Sequence, residues 1–125
     1  MKAFSVKDGQ GIALLRDKGI KTAIVTARSS SIVQKRAEEL KIDVVLQGVK
    51  NKAEALNILC EKFGITVEEI AYIGDDLPDL SAIEISGLSF CPNDAVDEIK
   101  KQVSHIVSSK GGEGAIRDAV NILLN

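Results

Sequence analysis

Three carboxylates crowd the segment Gly74-Asp75-Asp76-Leu77-Pro78-Asp79, immediately after the apolar run Ile70 to Ile73. Like charges so close repel one another unless a cation or a basic group offsets them. Hard oxygen donors favour Mg²⁺. Asp76 or Asp79 alone could simply cap the helix that Pro78 opens, but metal binding by Asp75, Asp76 and Asp79 accounts for all three.

Three further segments offer anion chemistry. Thr26 closes an apolar run and is followed by Ala27-Arg28 and the serines Ser29 to Ser31, so a hydroxyl and a helix N-terminus could face a phosphate. A strand end followed by capping serines is the plainer account of the same residues. Lys52 opens a helix after a turn with Gly48 and Asn51, where an ammonium could reach a phosphate or neutralise a carboxylate; Lys50 competes for the role, and a surface lysine is the alternative. Lys110-Gly111-Gly112-Glu113-Gly114 runs into a helix carrying Arg117, whose planar fork suits a carboxylate or phosphate. The order of Lys and glycines is not that of a P-loop, and a flexible connection would read the same way. His105, alone in an apolar run, reads as structural.

The elements that must position these residues alternate between short apolar runs and helical periodicity, the pattern of a parallel sheet covered by helices. Helices are expected at Gly11 to Lys18 with Asp8 as N-cap and Gly19 at the end, and after Ser29 to Ser31 with Ile32, Val33, Ala37 and Leu40 inward. Another is expected from Lys52 to Phe63, with Leu56, Leu59, Cys60 and Phe63 inward and Gly64 closing it. A capping box at Thr66 and Glu69, a short helix from Pro78 to Ile85, one capped by Asn93 and Asp94 reaching Lys101, and a last one from Glu113 to Leu124 complete the set. Strands are expected at Lys21 to Thr26, Val44 to Leu46, Ile70 to Ile73, Leu88 to Phe90 and His105 to Val107.

Composition narrows the function. The chain has 125 residues, 45% hydrophobic and 27% charged, which suits one folded domain and excludes disordered or fibrous classes. A net charge of −2, scattered basic residues and 3% aromatics argue against nucleic acid as partner. No apolar run approaches a membrane span and Met1 to Val6 carries no signal-like stretch, so a cytoplasmic protein is expected. Cys60 and Cys91 fit no metal motif and no disulfide framework.

Taken in order, Thr26, Lys52 and Gly74-Asp75-Asp76 with Asp79 resemble the second, third and fourth motifs of the haloacid dehalogenase phosphohydrolase superfamily. Lys2-Ala3-Phe4, Lys7-Asp8-Gly9 with Gly11-Ile12, Gln47-Gly48, Ala71 to Asp76 and the tail Gly111 to Arg117 are similar to the cap-less 3-deoxy-D-manno-octulosonate 8-phosphate phosphatases. They are also similar to sialic-acid-type 9-phosphate phosphatases and to the C-terminal module of some acylneuraminate cytidylyltransferases. The resemblance spans essentially the whole chain. It implies a three-layer, Rossmann-like parallel sheet with helices on both faces, Mg²⁺ at Asp75, Asp76 and Asp79, and Thr26 and Lys52 on the phosphoryl group. It further implies Arg28, Gly111, Gly112 and Arg117 at an acidic sugar phosphate, within a homotetramer whose glycine-rich tails reach neighbouring sites.

One departure bears on activity. The family's first motif, a strand ending in Asp-x-Asp-Gly that carries the nucleophile and the general acid/base, is not among these residues. That strand lies centrally in the family's sheet, between the equivalents of Lys21 to Thr26 and Ile70 to Ile73. Those two runs must therefore pair directly, or another segment or chain must fill the gap. Two readings follow: an acidic-sugar phosphatase impaired for want of its nucleophile, or a non-catalytic assembly module.

Overall fold

A computed structural model describes residues 6–125 of the chain. The Lys2-Ala3-Phe4 portion of the resemblance lies outside the described residues. The order is α1 (Val6–Asp17), β1 (Ala23–Val25), α2 (Ser31–Glu39), β2 (Val44–Leu46), α3 (Lys52–Phe63), β3 (Ala71–Ile73), α4 (Leu80–Ile85), β4 (Leu88–Cys91), α5 (Asp97–Lys100), β5 (His105–Ile106) and α6 (Ala115–Leu124). Single 3-10 turns at Val67–Glu69 and Leu77–Asp79 lead into β3 and α4.

Every strand pairing among the described residues is parallel, as alternation with helices demands. β1 pairs with β2 in the register Ala23 to Val44, and β3, β4 and β5 lie side by side in that order, with Tyr72 opposite Ser89. The expected continuous sheet is thus present in two parts, because no described pairing joins β1 to β3. Direct pairing of these two strands, one of the two outcomes the sequence left open, does not occur.

The three-stranded part carries apolar layers on both faces. Tyr72 and Cys91 face a layer built from Leu56 and Leu59 of α3, Ala82 and Ile83 of α4, and Ile99 of α5, against which Val25, Val44 and Leu46 also pack. Phe90 faces the other way, onto Val107 and onto Ala115 and Ala119 of α6, with Ile73 and Leu88 beside it. The period-2 alternation of a strand produces this division. α1 lies along α6 so closely that a Cβ on Gly11 would come 3.1 Å from the Arg117 Cα.

Local signals place α3 well. Asn51 accepts from the Ala53 and Glu54 N–H groups, and Gly64 ends the helix at φ 67°. The Thr66 and Glu69 capping box is present. Three expectations need correction. α1 begins at Val6, so Asp8 falls inside the helix rather than capping it. Of the inward face assigned to α2, Ala37 is buried and Val33 and Leu40 half-buried, but Ile32 is 61% exposed. Asn93 and Asp94 do not cap α5, whose cap position is Val96; Asn93 Nδ2 donates to the Ser108 carbonyl and Asp94 Oδ1 accepts from Gly111 N–H, which binds the β4 end to the glycine-rich loop. His105 stacks on Phe90 with ring centroids 5.4 Å apart. No described helix is long and apolar enough to cross a membrane.

Candidate functional site

The site assembles where the chain leaves β1, β2 and β3 at their C-terminal ends, the place where ligands gather in open parallel sheets. Thr26 follows β1 directly. Its N–H donates to the Leu46 carbonyl, its carbonyl accepts from Val49 N–H, and its Oγ1 accepts from Arg28 N–H at 3.2 Å. Gln47, after β2, accepts at Oε1 from Ser30 N–H at 2.6 Å, and Gly48 N–H donates to the Arg28 carbonyl. Ser30 caps α2 by accepting from Ile32 N–H. The turn bearing Thr26 and Arg28 is therefore stitched to the segment that opens α3. Thr26 is half-buried and Arg28 exposed.

Lys52 resolves the competition with Lys50. Lys50 is exposed, whereas Lys52, in the first turn of α3, is 8% exposed and its Nζ donates to Asp79 Oδ1 at 2.7 Å. Asp79 is 2% exposed. Its Oδ1 also accepts from the Tyr72 hydroxyl at 2.5 Å, while Oδ2 accepts from the backbone N–H groups of Asp75 at 3.0 Å and Asp76 at 3.2 Å. Four donors thus fill the lone-pair capacity of one carboxylate. Gly74 is required beneath it, because a Cβ there would come 2.6 Å from the Asp79 Cβ.

The electrostatics follow from that geometry. Burial pushes the Asp79 carboxyl up, but hydrogen bonds from Lys52, Tyr72 and the Asp75 N–H, with the Lys52 charge, overcome this and hold it below the usual carboxylate range. Tyr72 is driven far above the ordinary phenol range by burial, then by its bond to Asp79 and the negative charges of Asp79 and Asp75.

These contacts redistribute the three acids named from sequence. Asp79 turns inward as the counter-ion of Lys52, and Asp76 caps the following 3-10 turn through an Oδ1 that accepts from Leu77 N–H at 2.8 Å. Asp75, half-buried, is fixed through its main chain, with its carbonyl accepting from Val96 N–H. Among the described residues no three acidic, histidine or cysteine side chains converge as a ready-made cage. Mg²⁺ does not require one, since it keeps several waters and takes one or two carboxylates plus phosphate oxygens. Asp75 and the exposed Asp76 fit that smaller demand.

The tail is linked to this rim at one end. Gly111 N–H meets Asp94, and the same post-β4 loop meets Asp75 through Val96. Gly112 adopts φ 77°, which favours glycine. Arg117 lies on α6, where its Nε donates to Asn121 Oδ1 at 3.2 Å. Residue chemistry alone overlooked Tyr72 and Gln47; a hydroxyl in an otherwise apolar strand was the available signal, because buried tyrosines seek a partner.

Comparison with known proteins accords with this arrangement. A family model described as haloacid dehalogenase-like hydrolase matches residues 6–87. The 3-deoxy-D-manno-octulosonate 8-phosphate phosphatase KdsC of Haemophilus influenzae is 39% identical over 124 residues, covering 99% of this chain and 69% of that protein. The solved structure of the Moraxella catarrhalis phosphatase of that name, in complex with a magnesium ion, a phosphate ion and a KDO molecule, superposes with a TM-score of 0.94 at 40% identity, over 99% of this chain and 71% of its own. The cobalt-bound Haemophilus influenzae enzyme gives a TM-score of 0.94 at 39% identity, with 72% of its chain covered. The chain spans about two thirds of the length of the relatives it matches. On both the family match and the identity to KdsC, the chain belongs to the haloacid dehalogenase-like hydrolases.

Proposed function

We propose that these residues form the phosphate- and metal-handling part of an Mg²⁺-dependent phosphomonoesterase acting on 3-deoxy-D-manno-octulosonate 8-phosphate. The buried Lys52–Asp79 ion pair carries the reading, because it ties the ammonium that opens α3, the helix whose leading segment is bonded to the Thr26 turn, to the loop that carries Asp75 and Asp76. A lysine held at one point by a buried carboxylate keeps its remaining N–H donors aimed at an incoming anion. The Thr26 hydroxyl offers a second donor. Asp75 and Asp76 would hold the metal, which when bound neutralises phosphoryl charge and polarises the P–O bond. Arg28, Gly111, Gly112 and Arg117 are assigned to the acidic sugar, in a cytoplasmic homotetramer.

The sequence holds no Asp-x-Asp-Gly, so these 125 residues lack the family's nucleophile and should turn over little or nothing. That same feature favours the second reading, an assembly module related to the C-terminal domain of acylneuraminate cytidylyltransferases. The test is Mg²⁺-dependent phosphate release from 3-deoxy-D-manno-octulosonate 8-phosphate, by this chain and by a version extended upstream with the first motif. Release only by the extended protein is expected; release by neither sinks the octulosonate reading and moves weight to other sugars or to the assembly module.

A further inference from the structure

We propose that Tyr72 is a positioning residue that fixes, through Asp79, where Lys52 presents its ammonium. The inference rests on the reading of Lys52 as the phosphoryl-holding group and adds a residue to it. Lys52 Nζ and the Tyr72 hydroxyl share one oxygen of Asp79, at 2.7 and 2.5 Å, while two backbone N–H groups of the 75–76 loop take the other. The hydroxyl stands on β3, whose register opposite β4 is set by main-chain pairing, so it is the fixed member of the group. Lys52 is the long, rotatable one. By occupying one lone pair of Oδ1 the hydroxyl confines the ammonium to the other. With that lone pair empty, the ammonium gains a second seat on the same carboxylate and leaves its place beside the Asp75 loop.

Asp79 cannot do this alone. Its Oδ2 anchors the loop, but Oδ1 has two acceptor directions, and only a second donor chooses between them. Phe at position 72 would keep the ring in its apolar layer and remove only the choice.

Tyr72 is the sole tyrosine and there is no tryptophan, so its spectroscopic signals are unmixed. The experiment compares the wild type, Tyr72→Phe, and, as a destabilised control, Gly19→Ala, which strains a left-handed position at the end of α1 where a Cβ meets nothing within 4 Å. It reads the melting temperature, the ¹⁵Nζ resonance of Lys52, and the affinity for inorganic phosphate in Mg²⁺. The expected result for Tyr72→Phe is a shifted or broadened Lys52 resonance and phosphate affinity weakened roughly three- to tenfold, about the loss of one neutral hydrogen bond's worth of order. Gly19→Ala should lower the melting temperature and leave both site readouts unmoved. A Lys52 resonance and phosphate affinity in Tyr72→Phe equal to wild type overturn the proposal. If wild type binds no phosphate, the reading of Lys52 as a phosphoryl-holding group in these residues fails, and the Lys52 resonance alone upholds or overturns the positioning role. If Tyr72→Phe does not fold, uniform 3-fluorotyrosine, which changes no side chain but that of Tyr72 and makes its hydroxyl a stronger donor, takes its place: a moved Lys52 resonance supports the role and an unmoved one overturns it.

Discussion

Asp79 shows how one side chain can change meaning without changing place. As a member of an acidic triplet it invites a cation; as the acceptor of four hydrogen bonds at 2% exposure it already has one, the Lys52 ammonium. Removing one partner of a buried ion pair strands the other, which typically costs about 3–5 kcal/mol. Asp79→Asn is therefore expected to destabilise the fold by that order, measured by denaturant unfolding at neutral pH. The pH dependence gives a sharper check. Because the folded state holds the carboxyl below its usual range, its contribution is fully present above the unfolded value, about 3.9, and is lost as pH falls through the folded one. The stability gap between wild type and Asp79→Asn should narrow below about pH 4. A gap that stays constant through that range would deny Asp79 its charged role.

At the scale of elements, what the sequence disclosed follows from where each signal is satisfied. α3 was readable because its apolar stripe and its closing Gly64 both act within the helix itself. Asn93 and Asp94 look like equally good caps, yet their side chains are claimed by Ser108 and Gly111, more than a dozen residues away, and no local rule competes with that. The Lys52–Asp79 pair was hidden for the same reason: both residues were singled out, but a contact across 27 positions is a product of the fold. Gly87 is a comparable case that no periodicity flags. It passes so near the 3-10 turn before β3 that a Cβ would fall 1.9 Å from the Glu68 carbonyl oxygen, a backbone atom with nowhere to go, while its N–H meets the carbonyls of Val67 and Ile70. Gly87→Ala must push that turn away from β4. The expected loss is about 3 kcal/mol, the upper end of overpacking costs, read by thermal unfolding. Gly64→Ala, where a Cβ meets nothing but φ is 67°, should cost less, about 1 kcal/mol.

For the molecule as a whole, the division of the sheet into two parts is the feature sequence could pose and only structure could answer. Thr26 N–H reaches Leu46 on β2, and Gly74 N–H reaches Phe90 on β4. In parallel strands a residue's N–H and C=O point the same way and alternate along the chain. Ile24 and Tyr72 therefore face their paired neighbours, whereas Ala23 and Val25 on β1, with Ala71 and Ile73 on β3, direct main-chain groups to edges that no described strand covers. Val25 and Ile73 are only half-buried, so water can serve these groups, but an apolar strand edge left to water is also a template for another strand. Residue-resolved hydrogen exchange separates the two cases. In dilute solution the Val25 and Ile73 amides should exchange at least about tenfold faster than those of Ile24 and Tyr72, because opening is not needed to expose them. Protection of Val25 and Ile73 that grows with protein concentration would mean that copies of the chain cover these edges for one another. Equal, concentration-independent protection of all four would mean that the sheet is continuous after all.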